Sequence, residues 1–573
     1  MPYVKTFDRD QMMFCSWDSF VGEHSIARII DAFVNSLNMN DFDIKEAAAE
    51  GRPSYDPRGM LKLYIYGNRK NIRSSRKLQE SCIVNIEVKW LMGGAEPDFR
   101  TISDFRKDNV SALKKIFHEF NRRLAGAVEW GYTSIDGSKF LASNSKDRNF
   151  TANKLDDRIK WLNAHTDEYL RILDEMDEND DADEAEDADS DSLTREVIEK
   201  KLAEAKERLK RYEAYRQFMD ETGASQISIT DPDSKLMKNK NGFAVAYNPQ
   251  TAVDSNTHLI RDYEMTNLCT DHGMLYPTLE AIKAEKTDEV IETVADKGYE
   301  DEDDMLKCLE NGIIPHVILD DGKDGYEFET EYKEAEADLQ STSPKELAKA
   351  IHSGQIPDVY KDVIENIRIE EKNQFVKDEA EQEDKKKNAY GSENEMRERA
   401  AEGYFVRDPE RNLVICPAGE ILRQKCIKSN GNIRYANKTA CRHCKNRDKC
   451  YKGKGEWKEI DFTKDKLEKP CQEWLKSEGR SSDLEKTKRK GHYEKVMVVR
   501  FFFKPDREKM SNRMCLSEHP FGTIKRAMNS GYFLLRGMQK VEGEFALFCL
   551  GYNIERAKNL LGFDKLMRLM MAV

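Results

Sequence analysis

The spacing of apolar residues changes from helical to alternating early in the chain and marks a first domain boundary. Before that boundary, apolar residues recur every three or four positions, as on the buried face of an amphipathic helix. One such segment begins at Pro57 and ends at Gly67, and proline commonly opens a helix that glycine closes. Another follows Thr101-x-x-Asp104, which is similar to a capping box. We therefore predict an all-helical domain over residues 1–125.

A basic segment lies between two of these predicted helices. Its positively charged residues are Arg69, Lys70, Arg73, Arg76 and Lys77. Short helices with cations clustered at one turn are typical of helix-turn-helix-like DNA-binding modules. A plain helical bundle with a solvated basic edge explains the same pattern, so composition leaves both interpretations open.

Short alternating and apolar runs predict strands from Gly131 onward. A long helical excursion over residues 150–225 separates the first strands from the later ones. Within it, two amphipathic stretches flank a nearly all-acidic run at residues 174–192, which predicts a coiled-coil hairpin with a solvated tip. Without the excursion, the predicted order over residues 126–319 is β-β-β-α-β-α-β. This is the order of an RNase H-like fold, in which the first strand lies beside the fourth.

Three acidic residues occupy positions where this predicted fold could gather them. Asp136 and Asp296 each end an apolar run, and Glu518 lies in a predicted helix near the end of the chain. Carboxylate oxygens are preferred ligands of Mg²⁺, and two such ions about 3.5–4 Å apart support phosphodiester chemistry. The three residues are therefore a candidate divalent-metal site. Asp254 also ends a strand and Asp271 follows a turn, so spacing alone leaves both as alternatives. Candidate phosphate contacts are Arg513, Lys525 and Arg526.

A cysteine-rich module at about residues 403–460 interrupts the predicted catalytic fold. Its candidate zinc ligands are Cys416, Cys441, Cys444 and Cys450. The Cys-x-x-Cys pair with a cysteine on either side fits a tetrahedral zinc site. Cys426 or His443 could replace one ligand, and a set of reduced, buried thiols is the other interpretation. Residues 421–447 carry eight basic residues and no acid, which favours contact with a DNA backbone.

The expected fold class is a multi-domain α/β protein. It combines an RNase H-like catalytic core, a mixed sheet with flanking helices interrupted by insertions, with an all-α helix-turn-helix-like N-terminal domain. The expected segments are 1–125 (helical), 126–319 (first part of the catalytic domain), 320–490 (insertion with the cysteine module) and 491–573 (last part, with the glutamate helix).

The net charge of −13 argues at first against a nucleic-acid partner, but the acidic run at 174–192 dominates that sum. No apolar run approaches the length of a membrane span, and the first residues lack the core of a signal peptide. We therefore expect a cytoplasmic protein that associates with the nucleoid when it binds DNA. Twelve cysteines in such a protein indicate thiols or metal ligands and not disulfides.

Several short motifs, in this order, resemble those of bacterial insertion-sequence DDE transposases. The similar family members are long forms with a helical N-terminal domain and a cysteine cluster inside the catalytic domain. The matching segments are 55–57 through 98–106, Ser134-Ile-Asp-Gly-Ser138, 247–254, Thr270-Asp-His-Gly273, Ala295-Asp-Lys-Gly-Tyr299 and Glu518-His-Pro-Phe-Gly-Thr-Ile-Lys525. They cover nearly the whole chain apart from the acidic hairpin and residues 320–402.

The resemblance implies that Asp136, Asp296 and Glu518 are the DDE ligands of Mg²⁺ or Mn²⁺, with two ions. It also implies that Lys525 is the lysine seven positions after the glutamate in the related Tyr-Arg-Glu-Lys signature. The arginine of that signature is expected four positions before the glutamate, where this chain has methionine, and Arg513 lies one position away.

The resemblance further implies a function and partners. Members of the family bind the terminal inverted repeats of their element, usually as homodimers, cleave the 3′ ends and join them to target DNA. A metal-dependent nuclease that stops after hydrolysis is the enzyme alternative. A catalytically inactive repressor derived from a transposase is the alternative from the class of binding proteins.

Overall fold

The computed structural model contains both helices and strands, so the protein is a mixed α/β molecule. The structure describes residues 10, 14–45, 53–180, 195–222, 224–239, 242–320, 322–335, 343–377, 393–409, 411–427, 432–453, 455, 457–463, 466–477 and 491–571. The tip of the predicted acidic hairpin lies outside these residues. Within the described ranges, no helix is both long enough and apolar enough to cross a membrane.

The helices are numbered in chain order. They are α1 (Ile26–Asn35), α2 (Pro57–Arg69), α3 (Ser75–Val84), α4 (Ile86–Leu91), α5 (Phe99–Asp108), α6 (Val110–Leu124), α7 (Ala152–Asp180), α8 (Arg195–Thr222), α9 (Leu275–Glu285), α10 (Glu302–Glu310), α11 (Leu347–His352), α12 (Glu393–Ala401), α13 (Lys438–His443), α14 (Arg447–Cys450), α15 (Gln472–Ser477), α16 (Arg507–Gly522), α17 (Met538–Leu561) and α18 (Phe563–Met571).

The strands are numbered in the same way. They are β1 (Thr133–Gly137), β2 (Phe140–Leu141), β3 (Asn149–Thr151), β4 (Gln226–Ser228), β5 (Lys235–Asn239), β6 (Gly242–Tyr247), β7 (Gln250–Asp254), β8 (Ile260–Glu264), β9 (Ile291–Ala295), β10 (Ile313–Val317), β11 (Tyr326–Glu331), β12 (Ile364–Lys377), β13 (Tyr404–Asp408), β14 (Leu413–Ile415), β15 (Ile421–Ile427), β16 (Ile433–Ala436), β17 (Glu459–Phe462), β18 (Glu468–Pro470) and β19 (Gly491–Phe503).

The chain divides into two compact units, and each is discontinuous in sequence. The first comprises residues 1–149, 228–370 and 497–573, and the second comprises residues 150–227 and 371–496. The predicted helical domain therefore shares a unit with the central sheet. Its helices α2 and α6 pack against α17, which comes from the opposite end of the chain.

Two predicted helix ends in the N-terminal region need correction. Helix α2 begins at Pro57 as predicted, but it continues past Gly67 because that glycine is a packing position and not a stop. A methyl group at Gly67 would lie 2.6 Å from the Ile72 carbonyl oxygen. Helix α5 is capped by Asp98, whose carboxylate accepts hydrogen bonds from the backbone of Arg100 and Thr101. The capping box predicted at Thr101 is therefore wrong, since an aspartate three residues earlier already satisfies the free N–H groups.

The central sheet of the first unit has the strand order β10-β9-β1-β7-β8. Strands β1, β7 and β8 are antiparallel neighbours, whereas β9 is parallel to both β1 and β10. Ser134 of β1 pairs with Val294 of β9, so the predicted adjacency of the first and fourth strands is confirmed. Helix α16 packs against β1, β7, β9 and β10, which brings the end of the chain to the middle of this sheet.

The second unit contains an antiparallel sheet with the order β17-β16-β15-β14-β13-β18. Its core includes Phe405, Val414, Tyr435 and Phe462, all of them buried. The two helices predicted for the excursion are present as α7 and α8, and they pack along each other.

Candidate active site

Asp136 and Asp296 lie next to each other at one end of the central sheet. Strands β1 and β9 are parallel neighbours, so their carboxyl ends meet at the same edge. Arg513 of α16 reaches both residues, with Nη1 3.9 Å from Asp136 Oδ1 and 4.0 Å from Asp296 Oδ2. The Arg513 side chain is only 13% exposed, so the three groups form a compact, partly buried cluster.

A third carboxylate, Asp271, lies beside this pair. It accepts hydrogen bonds from Asn248 Nδ2 at 2.7 Å and Gln250 Nε2 at 2.8 Å, and Lys139 Nζ lies 3.7 Å away. Sequence reasoning had left Asp271 only as an alternative, because a carboxylate after a turn is a weak signal. The antiparallel pairing of β7 with β1 is what brings Gln250, and with it Asp271, to the end of β1.

Two glycines allow the carboxylates to approach the backbone so closely. A methyl group at Gly137 would lie 2.6 Å from Asp271 Oδ1. A methyl group at Gly298 would lie 2.9 Å from Asp296 Oδ1 and 3.7 Å from Asp271 Oδ2. The Gly298 N–H donates to Asp296 Oδ1 at 2.8 Å, which orients that carboxylate. These positions therefore exclude a larger residue unless the site rearranges.

The electrostatics of the site reflect three acids held close together. Burial raises the pKa of Asp136 to about 6; the Arg513 guanidinium opposes this shift, and the negative charges of Asp296 and Asp271 add to it. The pKa of Tyr299 is raised well above its usual value by burial and then by the same three carboxylates. A bound cation would relieve this repulsion, and the donor set of carboxylate oxygens suits a hard divalent ion.

Glu518, the third predicted ligand, lies on α16, the helix that carries Arg513. Its side chain is exposed, whereas the preceding Leu516 and Ser517 are buried. Glu518 follows Arg513 by five positions, which turns it roughly 140° around the helix from the arginine that faces the aspartates. In the described part of the chain, no group of three or more His, Cys, Asp or Glu side chains is arranged to hold a metal ion. The structure therefore brings Asp136, Asp296 and Asp271 together, and the assignment of Glu518 as a ligand stays a prediction.

The predicted phosphate contacts occupy different environments. Lys525 Nζ donates to Ser138 Oγ at 2.6 Å and to the Lys139 carbonyl oxygen at 2.8 Å, which places its charge just after β1. Arg526 is exposed. Arg513 lies between the carboxylates and not on an open surface.

The basic segment predicted to contact DNA is only partly on the surface. Arg73 is 5% exposed, and its guanidinium pairs with the buried Glu544 at 3.0 Å. This placement removes Arg73 from the predicted DNA-contacting set, because the interior of the protein already takes up its charge. Arg69 pairs with Glu555 at 3.0 Å. The remaining residues, Lys70, Arg76 and Lys77, are exposed.

The four predicted zinc ligands line one cavity of about 30 Å³ in the second unit: Cys416, Cys441, Cys444 and Cys450. His443 is exposed, and the side chain of Cys426 lies outside the described residues. A fifth thiol, Cys471, was missed because it follows Cys450 by 21 positions with no recognisable spacing. Its Sγ lies 3.8 Å from Cys450 Sγ and 3.4 Å from Lys458 Nζ. The hydrogen bond shared with Cys450, together with the Lys458 ammonium, lowers the pKa of Cys471 below its usual value.

The basic stretch at residues 421–447 is partly neutralised by acids that lie later in the chain. Strand β17 pairs with β16 and brings Glu459 and Asp461 beside Arg434, which bonds to both at 2.7 Å. Three other cations surround the ring of Trp457: Lys425, Lys438 and Arg442. The charge counted over residues 421–447 alone is therefore more positive than the charge of this surface after strand pairing.

Carboxylates gathered where parallel strands end, with arginine and lysine beside them, are typical of enzymes that transfer phosphoryl groups. Two family models agree with this class. Residues 15–108 match a transposase domain (DUF772), and residues 415–557 match a transposase DDE domain. Together these two matches support an insertion-sequence DDE transposase.

The two domain matches imply, in general terms, DNA binding, an activity of the polynucleotidyl transferase type and use of a divalent metal. The DDE match includes Glu518 and the cysteine module but not the strands that carry Asp136 and Asp296. No curated protein and no solved structure is significantly similar to the chain.

Proposed function

We propose that the protein binds the terminal inverted repeats of its element as a homodimer, cleaves the DNA strands there and transfers them to target DNA. The observation that carries the proposal is the meeting of Asp136 and Asp296 at adjoining ends of β1 and β9, with Arg513 within 4.0 Å of both. This arrangement concentrates negative charge that a divalent cation can balance.

The strand order supports an RNase H-like catalytic domain. Three antiparallel strands, β1, β7 and β8, are followed in the chain by two parallel ones, β9 and β10, and β1 lies at the centre of the sheet. This order is the one expected from the sequence for that fold. It places the two aspartates on adjacent strands although 160 positions separate them.

The residues present suit Mg²⁺ or Mn²⁺ by the chemistry of their donor atoms. When bound, two such ions would supply an activated oxygen nucleophile and neutralise charge on the phosphate. Asp136 and Asp296 would hold these ions, and we propose Glu518 as the third ligand. Asp271, the carboxylate beside the pair, is the alternative third ligand. Lys525, anchored beside β1, is positioned to contact a DNA phosphate next to Asp136.

The test uses purified full-length protein and DNA duplexes that carry the ends of the element. Wild type with Mg²⁺ or Mn²⁺ is expected to release 3′ ends and to form joined products. Asp136→Asn and Asp296→Asn are expected to bind the same DNA with no cleavage. Glu508→Gln, an exposed acid on the same helix α16, is the matched control and should cleave as wild type does.

The outcomes separate the competing functions. Cleavage without joined products would favour a nuclease, and repeat binding without cleavage by wild type would favour a repressor. Comparison of Glu518→Gln with Asp271→Asn identifies the third ligand, since loss of cleavage in the first variant alone supports the DDE assignment. Cleavage by Asp136→Asn at the wild-type rate would contradict the proposed site.

We propose in addition that the cysteine module holds a structural zinc ion. The convergence of Cys416, Cys441, Cys444 and Cys450 on one cavity supports this proposal. Zinc would join segments that are distant in sequence, because this small unit gathers its ligands from β14, α13 and α14 and the turns around them.

A further inference from the structure

The cysteine module contains more thiols than a tetrahedral zinc ion can bind. Four of them line the cavity, and Cys471 lies directly against Cys450. Structural zinc sites take four ligands, at a Zn–S distance of about 2.3 Å. Five thiols therefore compete for four positions.

The distance between two of these thiols lets either one serve the same ligand position. A zinc ligand lies about 2.3 Å from the ion, so two sulfurs in direct contact can exchange at one corner of the tetrahedron by side-chain rotation. The Cys450 and Cys471 sulfurs are 3.8 Å apart. Lys458 Nζ lies 3.4 Å from Cys471 Sγ and also donates to the Cys450 carbonyl oxygen at 2.6 Å, so a single cation holds the two segments together.

The local backbone explains why Cys471 is held there. It stands between β18 and α15, is 1% exposed, and its N–H donates to the Gly403 carbonyl oxygen at 2.8 Å. Cys450 ends α14, and helices α14 and α15 pack against each other. The two sulfurs therefore meet at the contact of two short helices and not within one local sequence motif.

We propose that Cys450 and Cys471 are interchangeable ligands for one position of the zinc site, with Cys416, Cys441 and Cys444 as the other three. This inference rests on the zinc site proposed above. Four of the thiols line the cavity, but among the described residues they are not preorganised as a metal site. Zinc binding would therefore require their side chains to rotate toward the ion. A site of this kind keeps its metal when either thiol of the pair is lost.

The experiment measures zinc content and Co²⁺ spectra of the full-length protein and its Cys→Ser variants. Wild type is expected to hold about one zinc per chain, and its Co²⁺ form should show the absorption of a tetrahedral thiolate site. Cys450→Ser and Cys471→Ser should each keep the metal with less than about a tenfold loss of affinity. The double variant should lose it. Cys515→Ser, an exposed thiol outside the module, is the matched control.

Cys441→Ser tests the site itself and should lose the metal on its own. If wild type and Cys441→Ser both lack zinc, the zinc proposal fails and this inference with it. If Cys450→Ser alone loses zinc as fully as Cys441→Ser, then Cys471 is not a ligand and only the inference is overturned. Retention of zinc by the double variant would also overturn it. Circular dichroism of each variant shows whether metal loss and unfolding coincide.

Discussion

At the scale of single residues, the sequence offers several candidates of the same residue type for each role. The structural environment of each side chain decides which of them can carry the function. Arg73 and Lys77 belong to one basic segment, yet Arg73 is 5% exposed and paired with Glu544 while Lys77 is exposed. Asp271 was one alternative among many acids, and hydrogen bonds from Asn248 and Gln250 place it beside Asp136. Residue type alone could not separate these cases.

Replacement of Gly137 by alanine is expected to disrupt the site. The added methyl group would lie 2.6 Å from Asp271 Oδ1, so the carboxylate or the strand must move. We expect about a 100-fold loss of cleavage and a loss of about 1–3 kcal/mol in the free energy of unfolding. Gly126→Ala is the control, since nothing lies within 4 Å of the added group. Equal activity of the two variants would contradict the close packing.

The raised pKa of Asp136 predicts a pH dependence of stability in metal-free buffer. Because the folded-state pKa is about 6 and the ordinary value is 3.8, the folded protein holds this proton more tightly. Stability should therefore fall as the pH rises from about 4 to about 6 and then level off, by up to about 3 kcal/mol. Urea unfolding of wild type and Asp136→Asn measures the effect: the variant should gain stability relative to wild type across this window. A difference that does not change with pH would refute the prediction.

Loss of the Arg73 side chain is expected to destabilise the protein without a direct effect on DNA contacts. Arg73→Ala leaves Glu544, 1% exposed, with a weakened set of partners, and we expect a loss of about 3–5 kcal/mol in the free energy of unfolding. Lys77→Ala should change it by less than about 0.5 kcal/mol. Thermal unfolding of both variants checks this, and similar values would show that the buried pair is not structural.

At the scale of elements, the sequence pattern predicted the two helices of the excursion and the strands that end near Asp136 and Asp296, but it was less reliable at helix ends. The cap of helix α5, Asp98, lies three residues before the expected cap, and α2 passes through a glycine. Helix α16 contains Pro520 and is followed by a π-helical turn, Thr523–Ala527. Proline and a change in helical winding both alter the direction of the side chains that follow. Both features come after Glu518, so the directions of Lys525 and Arg526 relative to Glu518 could not be derived from helical spacing.

The position of the α5 cap can be tested with two aspartates of that segment. Asp98→Ala removes the acceptor for two backbone N–H groups and should cost about 1 kcal/mol in the free energy of unfolding. Asp104→Ala removes the acid of the capping box predicted from sequence and should cost less than about 0.5 kcal/mol. The reverse order of the two effects, measured by urea unfolding, would restore the sequence-based assignment.

At the scale of the whole molecule, charge is distributed more evenly than the linear sequence suggests. The net charge is −13, and the basic stretch of the cysteine module meets Glu459 and Asp461 from a neighbouring strand. Three cations lie around Trp457, of which Lys425 also pairs with Glu459, and we expect this cluster to be the surface of the second unit that contacts DNA phosphates.

Substitution of a cation at Trp457 should weaken DNA binding in a salt-dependent way. Lys438 Nζ lies 4.5 Å from the ring centroid, and Lys438→Ala should lower the slope of log affinity against log salt by about 1. Arg434→Ala is the matched control, because Glu459 and Asp461 already balance its charge. Fluorescence anisotropy with a labelled duplex over a range of salt concentrations measures both slopes. An unchanged slope for Lys438→Ala would exclude this surface from the interface.

The sequence by itself indicated the mixed α/β class, the adjacency of the strands that became β1 and β9, the resemblance to DDE transposases and the two strand-end aspartates. These depend on local spacing and on short motifs. Only the tertiary structure decided which acids share a site, which cations are buried and which thiols meet. Those relations join residues far apart in the chain, such as Asp136 with Arg513 and Cys450 with Cys471. Strand pairing and helix packing create these contacts, and the local spacing of residues in the sequence cannot predict either of them.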